Sequence, residues 1–129
     1  MEISRGGETT ICNALDFISI NYYKPLHVEE IAEECHISET HFRRLFSEYM
    51  KMTPVEYVNK VRVQMACNDL KTTNLSIGTV AVKNGFQSIS TFNRNFRHYM
   101  GMSPKKWQKS LDVYERKTVN YDIKINEGW

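Results

Sequence analysis

The same short pattern occurs twice in this chain of 129 residues, and no other feature constrains the fold as tightly. Residues 42–57 read FRRLFSEYMKMTPVEY, and residues 92–107 read FNRNFRHYMGMSPKKW. Phe42 aligns with Phe92, Phe46 with Phe96, Tyr49 with Tyr99 and Tyr57 with Trp107. Arg44, Met50, Met52 and Pro54 likewise align with Arg94, Met100, Met102 and Pro104. Upstream, Val28 and Ala32 match Ile77 and Ala81 at an offset of 49; one extra residue near Gly85 and Phe86 makes it 50 from Ser38 and Ser88 onward.

Each copy reads as a short helix, a tight turn and a longer helix. Val28, Ile31, Ala32 and Cys35 make a short apolar stripe at helical spacing. Ser38 is placed to cap a helix whose apolar face is Phe42, Leu45, Phe46 and Tyr49. In the second copy Ile77, Val80 and Ala81 form the short helix, with Gly85 as its left-handed stop. Ser88 or Ser90 then opens a helix with Phe92, Phe96 and Tyr99 inward. Between the copies, Thr53, Pro54 and Glu56 supply an N-cap, a first-turn proline and a capping-box partner. No breaker follows until about Leu70, and Val58, Val61, Met65 and Ala66 are expected to face inward. Ile11, Leu15, Ile18 and Tyr22 mark a helix ahead of the first copy, and Ser103-Pro104 starts a last one.

The expected fold is all-α: about seven helices, arranged as two helix-turn-helix subdomains joined by a long central helix. Residues 1–8 are expected to be a flexible lead, 9–53 the first subdomain, 54–70 the linker helix, 71–110 the second subdomain and 111–129 a tail. A solenoid is disfavoured, because two copies are too few and 50 residues exceeds the usual helix-pair period.

Charge is divided unevenly. Residues 1–40 carry 8 acidic and 2 basic side chains, whereas residues 41–110 carry 12 basic and 3 acidic ones. From Lys71 to Ser110 there are seven basic residues and no acidic one. Such a block in a chain acidic elsewhere points to a polyanion, nucleic acid first. The apolar face of the longer helix in each copy leaves an opposite face at the same spacing: Thr40, Arg43, Arg44 and Ser47 in one, Ser90, Asn93, Arg94 and Arg97 in the other. Arginine can fork onto guanine, asparagine onto adenine, and small hydroxyl residues permit close approach to base edges. Ile89 is placed to touch a thymine methyl or to pack on the preceding helix. A helix from Pro54 to Leu70 is roughly 25 Å long, a length that sets two reading helices about one DNA turn apart. Because the copies differ, the expected site is asymmetric.

These residues resemble the AraC/XylS family of transcriptional regulators over about residues 9–108. The segment SIGTVAVKNGFQSISTFNRNFRHYMGMSPKKW carries the resemblance most clearly, with Arg62, Ala66 and Leu70 matching the family's central helix. The resemblance implies a transcription factor, most often an activator, that binds double-stranded DNA and contacts RNA polymerase near a promoter. Carried over position by position, it implies base contacts from Thr40, Arg43 and Arg44 and from Ile89, Ser90, Asn93 and Arg94. It makes Arg62 structural. Ser47 and Arg97 are candidates for base or phosphate, and Lys60, Lys105 and Lys106 for phosphate on charge grounds. Gly78-Thr79 departs from the family, which often has a better helix former there.

Other function classes find little support. His27, His36, His41 and His98 are scattered, and no zinc-type spacing, phosphate-binding glycine loop or catalytic triad appears; neither enzyme nor cofactor is expected. A module whose basic face binds an acidic protein is the rival. No apolar run reaches the roughly 18 residues of a membrane span. Cys12, Cys35 and Cys67 are expected to be reduced, buried small hydrophobes in a cytoplasmic protein. Val119, Tyr121, Ile123 and Ile125 alternate with polar residues like a half-buried strand. It is expected that the chain is a fragment of a larger regulator, with any effector ligand bound by a domain outside it.

Overall fold

The computed structural model describes residues 2–111. Six helices run in order: α1 (Glu2–Asn21), α2 (Val28–Glu34), α3 (Glu39–Met50), α4 (Pro54–Thr72), α5 (Ile77–Lys83) and α6 (Ile89–Met100). A seventh helical stretch covers 104–111, and no strand occurs among the described residues. The fold is all-α, as expected from the repeat. The alternating segment 119–126 lies outside the described residues.

The starts of α3, α4, α5 and α6 are set by hydroxyl side chains, whereas α2 starts after His27, whose amide donates to Glu30 Oε1 at 2.9 Å. Ser38 Oγ accepts from the His41 amide at 3.2 Å, and Ser76 Oγ from Thr79 at 3.1 Å. Ser88 rather than Ser90 caps α6, accepting from Thr91 at 3.1 Å. At α4 the capping box is complete: the Glu56 amide donates to Thr53 Oγ1 at 3.1 Å, and the Thr53 amide donates to Glu56 Oε1 at 2.8 Å. These bonds hold the Glu56 carboxyl below the usual carboxylate range.

Two apolar cores form. The first joins Ile11, Ala14 and Ile18 of α1 to Val28, Ile31 and Ala32 of α2, Phe42 and Phe46 of α3, and Val58 of α4. The second joins Val63, Ala66 and Leu70 of α4 to Val80 and Ala81 of α5, Phe86, and Phe92 and Phe96 of α6. The repeat is thus one helix wider than the sequence pattern indicated. Ile11, Ala14 and Ile18 share the spacing of Val63, Ala66 and Leu70, so α1 does for the first lobe what the second half of α4 does for the second. Ring packing repeats too. Phe42 and Phe46 lie 5.5 Å apart and Phe46 meets Tyr57 at 5.6 Å; Phe92 and Phe96 lie 5.6 Å apart and Phe96 meets Trp107 at 5.8 Å.

Several expectations need correction. The first helix begins at Glu2, within the span 1–8 that the sequence reading set apart as a flexible lead. Gly7 is buried where a Cβ would come within 2.5 Å of the Tyr49 hydroxyl, and this packing outweighs the low helix propensity of glycine. Tyr49 accordingly sits at the rim of the core and is partly exposed. Met65 is exposed and Val63 is buried, because α4 feeds two cores from different faces and has no single inward stripe. Cys12 is exposed, while Cys35 is buried and Cys67 partly so. Burial pushes the Cys67 thiol up to about 11.

One buried polar group holds the second lobe together. The Asn84 amide donates to Asp69 Oδ2 at 2.8 Å and to the Val80 carbonyl at 2.8 Å. Lys83 Nζ lies 3.3 Å from Asp69 Oδ1, so the end of α5 is tied to α4. Asn84 is only 2% exposed, and losing its acceptor would strand a buried donor. Asp69→Ala is expected to lower stability by about 2–3 kcal/mol and Asp69→Asn by about half as much, measured by urea unfolding.

Candidate nucleic-acid interface

The cap of each longer helix aims its polar face outward. On α3, Thr40, Arg43 and Arg44 are exposed and Ser47 is half-buried; on α6, Ile89, Ser90, Asn93, Arg94 and Arg97 are all exposed. Phe42 and Phe46, and likewise Phe92 and Phe96, are fully buried on the opposite faces. The structure therefore brings together on each helix the residues that the sequence grouped. Ile89 is 48% exposed, which leaves about half of it open to solvent. Lys105 and Lys106 are exposed in the 104–111 stretch, and Lys60 of α4 is half-buried.

The backbone of the turns repeats as faithfully as the side chains. His36 (φ 61°) and Gly85 (φ 94°) occupy the same left-handed position after the short helix, and Lys51 (φ 60°) and Gly101 (φ 79°) the same position after the long one. Glycine stands at both sites in the second lobe only, where it avoids the steric cost that His36 and Lys51 carry.

Arg62 is the hinge-pin between the lobes. Its Nε donates to the Tyr22 carbonyl at 2.7 Å and its Nη2 to the Lys24 carbonyl at 3.0 Å. Burial lowers the pKa of this guanidinium, though an arginine so placed keeps its charge. Gly85 of the second lobe lies directly over this joint: a Cβ there would come 2.5 Å from the Tyr22 carbonyl oxygen and 2.7 Å from Arg62 Nε. Arg62 is thus occupied within the protein, consistent with its structural assignment. A second tie crosses the lobes where the Tyr99 hydroxyl of α6 donates to the Glu56 carbonyl of α4 at 2.9 Å.

Two open clefts flank the joint and share a wall. Leu26 and His27 line one with Asn59, Arg62, Gln87 and Thr91, and the other with Glu39, Arg43 and Val55. Together the two clefts flank the surface between Glu39 and Arg43 of α3 and Thr91 of α6. The sequence reading passed over two residues here. His27, exposed at the start of α2, reaches both clefts. Glu39, in the first turn of α3, accepts from Arg43 Nε at 2.8 Å. Glu39 was legible only by asking what stands four residues before each arginine. In α6 no carboxylate pairs with Arg94 or Arg97 among the described residues.

Among the described residues no cluster of histidine, cysteine or carboxylate side chains could hold a metal, and no helix is long and apolar enough to cross a membrane. The arrangement is that of a surface for an extended anion. Residues 31–110 match the family model described as a helix-turn-helix domain.

The chain belongs to the AraC-type helix-turn-helix family of transcriptional regulators. The melibiose operon regulatory protein of Escherichia coli K12 is 30% identical over 116 residues, covering 90% of this chain and 38% of that protein. An uncharacterized HTH-type transcriptional regulator of Haemophilus influenzae is 33% identical over 87 residues, 67% of this chain and 29% of that one. The chain spans about a third of the length of these relatives. Among solved structures, an AraC-type transcriptional regulator from Chromobacterium violaceum superposes with a TM-score of 0.76 at 24% identity, over 83% of this chain and 96% of that one. The DNA-binding domain of AdpA in complex with a target DNA superposes with a TM-score of 0.75 at 23% identity, over 83% and 94%.

Two glycines near the surface should respond in opposite directions. Gly85→Ala is expected to destabilise the fold by about 2–4 kcal/mol, combining left-handed strain with overpacking at the joint. Gly78, in α5, has open space around it, and Gly78→Ala is expected to stabilise by up to about 1 kcal/mol. Thermal unfolding of both variants checks the pair.

Proposed function

We propose that this chain reads an asymmetric double-stranded DNA site by setting α3 and α6 into adjacent major grooves, and that it acts as an activator of transcription. The observation that carries this reading is the pair of outward faces. Each lies on the second helix of a helix-turn-helix, each is free of the core, and the two are joined by one unbroken helix. At 19 residues, α4 is roughly 28 Å long, close to the separation of about 34 Å between successive major grooves once helix width is added.

Base edges fall to Thr40, Arg43 and Arg44 on α3 and to Ile89, Ser90, Asn93 and Arg94 on α6. Ser47 and Arg97, toward the helix ends, meet base or phosphate. Lys105 and Lys106, on the seventh helical stretch beside α6, meet phosphate; Lys60 is half-buried on α4 and is the weakest member of the set. The seven basic residues of 71–110, of which Lys83 is paired with Asp69, supply sequence-independent attraction that falls with salt as counterions are released. RNA polymerase is the proposed protein partner at the promoter. Any effector would act through a further domain of a longer regulator.

Selection of bound duplexes from a random pool tests the geometry: the expected site holds two unlike elements about 10 base pairs apart. A single short protected patch would refute it. On the selected site, Arg94→Ala is expected to cost about 1–3 kcal/mol, and much less on scrambled duplex. Lys105→Ala is expected to weaken both alike and to flatten the salt dependence by about one phosphate contact. Titration at several salt concentrations distinguishes these outcomes. Survival of binding against an excess of scrambled duplex separates DNA recognition from attraction to any acidic surface.

A further inference from the structure

The two reading helices are alike in backbone, and one of their differences is an ion pair that only α3 holds. On α3, Glu39 and Arg43 stand four residues apart and are joined by a hydrogen-bonded ion pair of 2.8 Å. On α6 the aligned residues are Ile89 and Asn93, which form no such pair. Both side chains of the pair are solvent-exposed, at 47% for Arg43 and 42% for Glu39. An exposed intrahelical pair contributes little to folding, so stability is a poor reason for it. Its geometry supplies a better one. The bond engages Nε of Arg43 and leaves the two terminal nitrogens, which form the edge of the fork that meets guanine O6 and N7.

We propose that Glu39 is a positioning residue for base readout, holding the Arg43 guanidinium in one orientation for a guanine and opposing its capture by other acceptors. This inference rests on the reading of α3 as a major-groove helix. An unbuttressed arginine swings freely between a base edge and nearby phosphates and so binds many sequences. Tied at Nε, it presents one flat edge in one direction, and less side-chain freedom remains to be lost when the guanine is met. The carboxylate adds a second effect. Glu39 is negative beside a polyanion, and it is tolerated only when its partner makes a contact good enough to offset the repulsion. Mismatched sites lose on both counts. The second helix lacks this device, since Ile89 reads shape and methyl groups and Asn93 works unsupported. The guanine facing Arg43 is therefore the most stringently read position in the whole site.

The test uses the 129-residue chain, the duplex obtained by selection, the three duplexes that replace the guanine facing Arg43, and a scrambled duplex. Glu39→Gln keeps the side chain's shape at an exposed position, and circular dichroism confirms that it folds. Its preference for guanine at that position is expected to fall about tenfold, with equal or tighter binding to scrambled duplex. In an Arg43→Ala background the same change is expected to leave the remaining preference untouched. The reciprocal graft, Ile89→Glu with Asn93→Arg, is expected to create a new guanine preference opposite α6. An unaltered preference in Glu39→Gln would overturn the proposal, as would an equal loss with and without Arg43, since Glu39 would then read a base itself. If the unmodified chain fails to prefer the selected over the scrambled duplex, the major-groove reading falls as well. The two failures are thus separate.

Discussion

The central helix has to belong to two cores at once, and the rest of the structure follows from how it does so. Val58 completes the first core and Val63, Ala66 and Leu70 begin the second. Between them, at Arg62, the same helix bonds the Tyr22 and Lys24 carbonyls of the turn that follows α1. A linker that merely connected two lobes would be polar all round. This one is apolar on two faces and cationic between them, so neither lobe can rotate about it without opening a core. Gly85 seals the joint because only a residue without a side chain fits over Tyr22 and Arg62.

The lobes repeat one architecture with two chemistries. Positions that decide folding are matched: the hydroxyl caps of the longer helices, the buried phenylalanines, the proline that starts the closing helix, and the left-handed residues after each helix. Positions that decide neighbours have drifted. Cys35 stands where Asn84 stands in the second copy; its thiol donates weakly to the Thr10 carbonyl at 3.6 Å, whereas Asn84 builds a charged network with Asp69 and Lys83. The repeat therefore records constraints of packing, while its mismatches mark places where each lobe answers to something else.

That division explains what could be read from the residues alone. Periodicity revealed the helices, their caps and the two outward faces, because each depends on residues within one turn of each other. It missed two things that depend on distant partners and one that is local. The role of α1 as the counterpart of α4 rests on packing between residues 52 apart. Met65 was placed inward and Val63 was left out, since one apolar stripe was assumed where two faces are used. The Glu39–Arg43 pair was within reach of the sequence, but its carboxylate falls in the first turn, where acids are ordinary helix-start residues. Whether it faced the arginine or solvent was a matter of rotamer.

A rigid joint also bears on how two weakly reading helices can make one selective surface. Each lobe presents only a few side chains to a groove, and ordering two independent modules on one duplex would cost rotational and translational freedom twice. Here that second cost is met during folding, by the shared helix, the Arg62 bonds and the Tyr99–Glu56 tie. On the proposed two-groove reading, once one helix is seated the other is held close to its own groove at a fixed distance and phase. The same rigidity penalises error: a site with correct elements at the wrong spacing cannot be reached by flexing the linker, because flexing would expose Val63 and Leu70. On the proposed reading, spacing thus becomes part of the recognised sequence, enforced by core packing rather than by any contact with a base.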